Sequence, residues 1–299
     1  MYHDIIIIGA GQAGLALGYY LKKQQADFTM LEAAHEIGLS WLNRYDSLKL
    51  FTNARYNNLP GFAFPGEETH FPSKDEVASY LKEYARKFEL PVILNCIATK
   101  LSKRNSLFQI ETRHLTYTAK NVIICTGPFQ TAFVPSYSEK IDKSILQIHS
   151  SEYRNPSQLR EGETLVIGAG NSGVQIVEEL VNAGKSVYFS FGGKLKPMPN
   201  NPLMQWLIFG SGITSASKHS FIGGLLKKRQ EPIMGTNLKA LFNKPNLTQT
   251  GRTLSAEGRQ IVCEKMTIEF VENVIWATGF KPDFHWIDID IADEQGFPI

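Results

Sequence analysis

Cysteine is scarce in this chain. Three of them, at 96, 125 and 263, are odd in number and widely spaced, which excludes a disulfide framework and a CxxC redox pair. Each reads as a small buried hydrophobe and not as a reactive thiol, so dithiol reductases are excluded. Net charge is nearly missing as well: 31 Lys and Arg against 29 Asp and Glu leave +2, too little for a nucleic-acid partner. Long apolar runs are also absent. The strongest early one, Ile5 to Ile8, stops at Gly9, short of the ~20 residues a membrane span needs and without the flanks of a secretion signal. The expectation is a cytoplasmic protein with no membrane span and no metal site.

What the chain does have is core-forming material, 43% hydrophobic in 299 residues, enough for about two domains of ~100–200 residues each. It also has almost the same octet twice, IIGAGQAG from Ile7 to Gly14 and VIGAGNSG from Val166 to Gly173. A GxGxxG spacing is weak by itself, and its context decides. Asp4 to Ile8 is a β-branched apolar run typical of a buried parallel strand. Gly9 then permits a tight turn, Gly11 a close approach of pyrophosphate, and Gly14 the packing of the next helix. Unpaired N–H groups at that helix start, around Gln12 and Ala13, face the phosphates. Phe28 to Leu31 reads as the second strand and ends in Glu32, a carboxylate able to accept hydrogen bonds from a ribose diol.

The second unit repeats the design with Thr164 to Ile167 as strand, Gly168, Gly170 and Gly173 as turn glycines, and Asn171 and Ser172 at the helix start. Its second strand, Ser186 to Phe191, ends without a carboxylate, and Lys194 and Lys196 follow. An acid would repel a 2′-phosphate and lysines attract it, so this unit suits NADP. The alternative is two solvated loop lysines. Two dinucleotide units of unlike preference imply an electron relay, from NADPH to a flavin.

Several spaced motifs then resemble the flavin-dependent monooxygenases, especially small bacterial flavoproteins related to the plant auxin-synthesis branch. They are the first turn, Gly38-Leu-Ser-Trp41, Arg44-Tyr-Asp-Ser-Leu-Lys-Leu50, Phe71-Pro-Ser-Lys74, Thr126-Gly127-Pro128, His149-Ser-Ser-Glu-Tyr153, the second turn, and Ala277-Thr-Gly-Phe-Lys-Pro-Asp283. The resemblance implies an α/β fold of two Rossmann-like domains, the NADP domain inserted into the FAD domain. It also implies an NADPH-reduced FAD whose C4a hydroperoxide passes one oxygen atom from O₂ to a small nucleophilic substrate. By the same resemblance Trp41, Arg44, Ile97, Thr126 and Gly127 belong to the FAD cleft, with core packing the alternative for Trp41. Asn53 resembles an amide that hydrogen-bonds beside the reacting oxygen and is the catalytic candidate; an ordinary turn Asn is its alternative.

Two features depart from the family. Of its motif FxGxxxHxxxY only His149 and Tyr153 remain, with Lys143 and Ile145 at the aromatic and glycine positions. That leaves an NADPH oxidase or reductase without oxygen transfer as an alternative, and a redox-sensing regulatory flavoprotein as another. Relatives also continue beyond the ATG-containing strand with a further strand and helix, so the chain is expected to be truncated on its FAD side and poorly coupled.

The expected organisation is an FAD domain over 1–155, an NADP domain over 156–274, and a return to the FAD domain over 275–299. A helix is expected from Ser73 to Phe88, opened by a Ser73–Glu76 capping box. The apolar stretch Pro199 to Met234 reads as a packed helical insertion and not a membrane contact, because Lys227, Lys228 and Arg229 are not interleaved with its apolar residues. Expected partners are a small-molecule substrate and O₂; a homodimer is left open.

Overall fold

The computed structural model describes residues 1–211, 217, 220, 224 and 232–289. In chain order its strands are β1 (Tyr2–Ile8), β2 (Phe28–Leu31), β3 (Val92–Ile93), β4 (Ala98–Arg104), β5 (Leu107–Thr112), β6 (Thr116–Ile124), β7 (Thr131–Ala132), β8 (Leu146–His149), β9 (Thr164–Ile167) and β10 (Val187–Ser190). They continue with β11 (Pro197–Met198), β12 (Ile233–Met234), β13 (Leu247–Gly251), β14 (Thr253–Glu257), β15 (Gln260–Cys263), β16 (Thr267–Ile268), β17 (Asn273–Trp276), β18 (Phe280–Lys281) and β19 (Ile287–Asp288). The α-helices are α1 (Gln12–Lys23), α2 (Leu39–Leu42), α3 (Lys74–Lys87), α4 (Asn171–Asn182), α5 (Pro202–Gln205) and α6 (Leu238–Phe242).

Contacts divide the chain into two units. The first comprises Met1–Asn43, Asn53–Thr131 and the chain from Phe280 onward, and the second comprises Arg44–Thr52 and Ala132–Gly279. In the first, a seven-stranded sheet runs β19-β4-β5-β6-β1-β2-β3. β1 is parallel to both β2 and β6, and β4, β5 and β6 form an antiparallel meander. Ile6 and Ile7 are fully buried although they point to opposite faces, which is why the run is continuous instead of alternating. Helix α3 starts as its sequence dictates: the Ser73 hydroxyl accepts from the Glu76 amide and the Glu76 carboxylate from the Ser73 amide. Val77, Tyr80, Leu81 and Tyr84 are its buried stripe.

The second unit is built on a five-stranded, all-parallel sheet, β13-β10-β9-β17-β8. Alternate residues of its central strands face different layers. Val166 and Ile275 pack with Val174, Val177 and Leu180 of α4. Leu165, Ile167, Val274 and Trp276 pack with Ala256, Ile261 and Ile268 of the antiparallel sheet β14-β15-β16. One face is therefore covered by a helix and the other by a small sheet.

Three boundaries differ from the sequence reading. Residues 132–155 join the second unit, because β8 pairs with β17 through backbone bonds spanning more than a hundred residues. Ile275 lies on β17 within that sheet, so the return to the first unit comes at Phe280 and is secured where β19 pairs with β4. Segment Arg44–Thr52 also belongs to the second unit: Tyr45 is buried there and its hydroxyl donates to Gln175 Oε1 on α4 at 2.5 Å. The insertion is helical over its described part Pro202–Gly210, α5 leading into a π-helical turn over Trp206–Gly210, and its end Ile233–Met234 is strand β12, while Lys227, Lys228 and Arg229 lie outside the described residues. Among the described residues no helix is long and apolar enough to cross a membrane, and no His, Cys, Asp and Glu group could hold a metal.

Candidate functional site

Each unit contains a glycine turn whose three glycines do different things. Gly9 and Gly168 have φ of +102° and +106°, a region that suits glycine. A Cβ at Gly9 would lie 2.5 Å from the Cys125 carbonyl oxygen, and one at Gly168 2.3 Å from that of Ala277. A Cβ at Gly14 would lie 2.1 Å from Gly9 O, and one at Gly173 2.0 Å from Gly168 O. The protein's own backbone therefore demands the first and third glycine of each turn. The middle ones, Gly11 and Gly170, would meet nothing within 4 Å. Both are N-caps of their helices, and neither helix has a side-chain cap. Open space in front of uncapped amide groups is a cradle for an anion.

The ends of the second strands differ. Beyond β2, Glu32 Oε2 accepts from the Ala10 amide at 2.7 Å and Oε1 from the Ala34 amide at 2.9 Å. The carboxylate is fixed beside the glycine turn. Beyond β10 come Phe191, Gly192 and Gly193, and there a cavity of about 440 Å³ opens. Lys194 lines it, with Phe191, Phe242, Gln249, Glu264 and Lys265. Phe191 and Phe242 are stacked, 6.0 Å apart at an interplanar angle of 8°. Lys196 is exposed and does not line the cavity. Lys265 and Glu264 carry no local signal in the sequence, since they reach this place from the turn after β15.

Of the other expected residues, Gln12 and Ala13 form the first turn of α1. Thr126 follows β6, its amide 3.2 Å from a Cβ built at Gly9, and Gly127 next to it has φ +75°. Ile97 follows Cys96, whose amide donates to Glu32 O at 2.8 Å. These residues are gathered at the first turn. Trp41 lies half-buried on α2, a helix held close to α3 where a Cβ at Gly38 would come 2.8 Å from Ala78 Cα. Asn53 is buried at the start of a 3₁₀ turn, Ala54–Tyr56, and its backbone oxygen accepts from Tyr56 N and Asn57 Nδ2.

Arg44, expected in the FAD cleft, belongs to the second unit by its contacts. Burial lowers its pKa, and Arg154 acts in the same direction. Asn171 is engaged with the protein itself: Nδ2 donates to Pro232 O at 3.2 Å and Oδ1 accepts from Met234 N at 3.0 Å. It ties β12 to the start of α4. Ser172 lies beside Tyr45, whose phenol is pushed up to about 12 by burial, with the Ser172 hydrogen bond opposing that rise.

His149 and Tyr153 also act within the second unit. The His149 ring is 4% exposed; Nε2 donates to Gly279 O at 3.0 Å, and Nδ1 accepts from Ser151 N at 3.2 Å. Burial depresses its pKa, so the ring is neutral in that tautomer. The Tyr153 hydroxyl donates to Glu179 Oε2 on α4 at 2.7 Å. One turn thus holds both the loop after β17 and the helix of the glycine turn. The cysteines are free: Cys96 and Cys263 are buried, and burial raises the thiol pKa of Cys125.

Comparison with known proteins places this architecture. Residues 6–207 match the family of pyridine nucleotide-disulphide oxidoreductases. A CzcO-like oxidoreductase of Geobacillus kaustophilus is 42% identical over 99% of this chain and 86% of its own length. The indole-3-pyruvate monooxygenase YUCCA7 of Arabidopsis thaliana is 31% identical over 59% of this chain and 44% of its own. A flavin-containing monooxygenase from Stenotrophomonas maltophilia superimposes with a TM-score of 0.80 at 24% identity, covering all of this chain and 84% of that one, so the fold is shared. The two glycine turns, each between a parallel strand and a helix, are those of an oxidoreductase, and the chain belongs to the pyridine nucleotide-disulphide oxidoreductase family.

Proposed function

We propose that the first unit binds FAD, the second binds NADPH, and the enzyme transfers one oxygen atom of O₂ to a small nucleophilic substrate. The observation that carries this reading is the matched pair of cradles with unlike second-strand ends. Each cradle leaves open space at the middle glycine of an uncapped helix start. Glu32 suits the ribose diol of FAD, and the carboxylate-free end of β10 suits a 2′-phosphate. Bound FAD would supply the hydride acceptor and the oxygen chemistry. The residues do the rest: Gly11, Gln12 and Ala13 bind the FAD pyrophosphate, Glu32 orients its ribose, and Ile97, Thr126 and Gly127 border it. Gly170 and Ser172 serve the NADPH pyrophosphate, Asn171 holds the rim through β12, and Lys194 attends the phosphate end. The names of the similar proteins, a flavin-containing monooxygenase and an indole-3-pyruvate monooxygenase, support oxygen transfer as the outcome.

The experiment compares NADPH loss with hydrogen peroxide release in air, using FAD-loaded protein and amine, sulfide or ketone substrates. Oxygenated product together with peroxide below the NADPH used is the expected result. One peroxide per NADPH with every class would overturn oxygen transfer and leave an NADPH oxidase. Ile145, fully packed in the core at the position of the family motif's glycine, favours that second reading.

A further inference from the structure

We propose that Arg252 reads the 2′-phosphate of NADPH, with Lys194 and Lys265 beside it; this rests on the NADPH reading above. In a βαβ unit the distinction between the two nicotinamide cofactors is made beyond the end of the second strand. Here that strand is β10, and the residues that follow it, Phe191, Gly192 and Gly193, bring no charge of their own. The first cation along the chain is Lys194, an ammonium; a guanidinium must come from elsewhere.

The neighbouring strand brings one. β13 runs parallel to β10 with Ser190 in register with Gly251, and the Phe191 amide donates to Gly251 O at 3.1 Å. Arg252 therefore leaves the sheet at the same edge as Phe191. Its guanidinium lies over Gly192: a Cβ there would stand 2.6 Å from Arg252 Nε and 2.7 Å from Nη2. Gly192 is not among the positive-φ glycines, so its backbone does not call for glycine. Its lack of a side chain leaves the space that the guanidinium occupies.

Arg252 is exposed, and among the described residues its guanidinium has no carboxylate partner. Glu264, the one acid lining the cavity, accepts from the Arg252 backbone amide at 3.0 Å. Arg252 stands at the border of the cavity, next to Gly251 and bonded to Glu264, both of which line it; Lys194 and Lys265 line it directly and make no ion pair among the described residues. The stacked Phe191–Phe242 pair provides an apolar wall for an adenine. A planar guanidinium meets a phosphate with two parallel hydrogen bonds, which an ammonium cannot do. Lys196, unlike Arg252, has no contact with Gly192 or with the lining residue Glu264 among those the structure describes, and it is not assigned to the phosphate.

Calorimetric titration with 2′,5′-ADP and with 5′-AMP tests the assignment without any turnover. The wild-type chain should prefer 2′,5′-ADP. Arg252→Ala should weaken 2′,5′-ADP by about tenfold or more, as expected for a lost charge-assisted pair, and leave 5′-AMP unchanged. Arg252→Lys should restore only part of the loss, and Lys196→Ala should keep the wild-type preference. An exposed position should leave the unfolding midpoint of each variant unaltered, so a lost preference is not a lost fold. If Arg252→Ala keeps the full preference, Arg252 is the wrong residue and NADPH still binds. If the wild-type chain binds 5′-AMP as tightly as 2′,5′-ADP, the NADPH reading falls too, and Glu264 becomes the acceptor of a free ribose diol.

Discussion

The first unit ends its second strand in Glu32, a carboxylate held by the amides of Ala10 and Ala34, while the second unit ends the corresponding strand in Phe191 and two glycines. Up to that point the two are near copies. The positive φ of the first glycine agrees within a few degrees, the third glycine abuts the first one's carbonyl in both, and the middle glycine faces open space in both. The comparison separates two demands on one motif. Packing of helix on strand fixes the outer glycines, so they are equal in the two units. Ligand chemistry acts on the middle glycine and the strand end, and there the units diverge.

The strongest way to break this comparison is to add a methyl group at each glycine. Gly14→Ala and Gly173→Ala place a Cβ about 2 Å from a backbone oxygen, and each should lose about 3 kcal/mol or more of stability in urea unfolding, since the backbone must move. Gly11→Ala and Gly170→Ala should stay within about 1 kcal/mol, the difference between glycine and alanine as an N-cap. Equal losses at all four positions would show that no glycine is reserved for a ligand.

A larger side chain sharpens the same contrast from the ligand's side. Gly11→Val should reduce FAD affinity by about a hundredfold or more and leave NADPH affinity intact; Gly170→Val should do the reverse. Fluorescence titration of the apoprotein measures both, and a variant that loses both ligands together contradicts separate cradles. At the strand end, Glu32→Gln keeps the shape but leaves one of the Ala10 and Ala34 amides without an acceptor. FAD binding should weaken by about tenfold, the usual effect of losing a hydrogen bond to a charged group, and 5′-AMP binding in the second unit should not change.

The smallest effect concerns His149, for which the first unit has no counterpart. Its folded pKa lies below the ordinary 6.5 because of burial, so the unfolded chain takes up the proton first as pH falls. The stability held by the neutral ring is complete above about pH 6.5 and declines below it. Protonation would also turn Nδ1 into a donor facing the Ser151 amide. Unfolding midpoints recorded from pH 7.5 to 5 should fall less steeply in His149→Gln than in wild type; parallel curves would remove His149 from the account.

Much of the frame was legible in the sequence. The strands Phe28–Leu31 and Thr164–Ile167 stand where the apolar runs and glycines put them, α1 starts at Gln12 just after the glycine turn begins, and the Ser73–Glu76 capping box opens α3. These features depend on residues within a few positions of one another. Segment 132–155 was misplaced because β8 becomes a strand of the second sheet only through its pairing with β17. The stretch from Arg44 to Thr52 was counted with the first unit for a similar reason: Tyr45 within it is drawn into the core against α4. Asn171 looked like a ligand-facing residue of the second turn, and its amide turns instead to Pro232 and Met234.

By itself the sequence determined that there are two glycine turns, that each joins a buried strand to a helix, and that only the first is followed by an acid. Those properties follow from local sterics, hydrophobic run length and the chemistry of single side chains. Which charges gather beyond β10 was decided only by the tertiary structure. Arg252, Glu264 and Lys265 arrive there because β13 pairs with β10 with Gly251 opposite Ser190, and the chain then turns back through β14 and β15. Register between parallel strands is set by the whole core on both faces of the sheet, and no stretch of a few residues contains it.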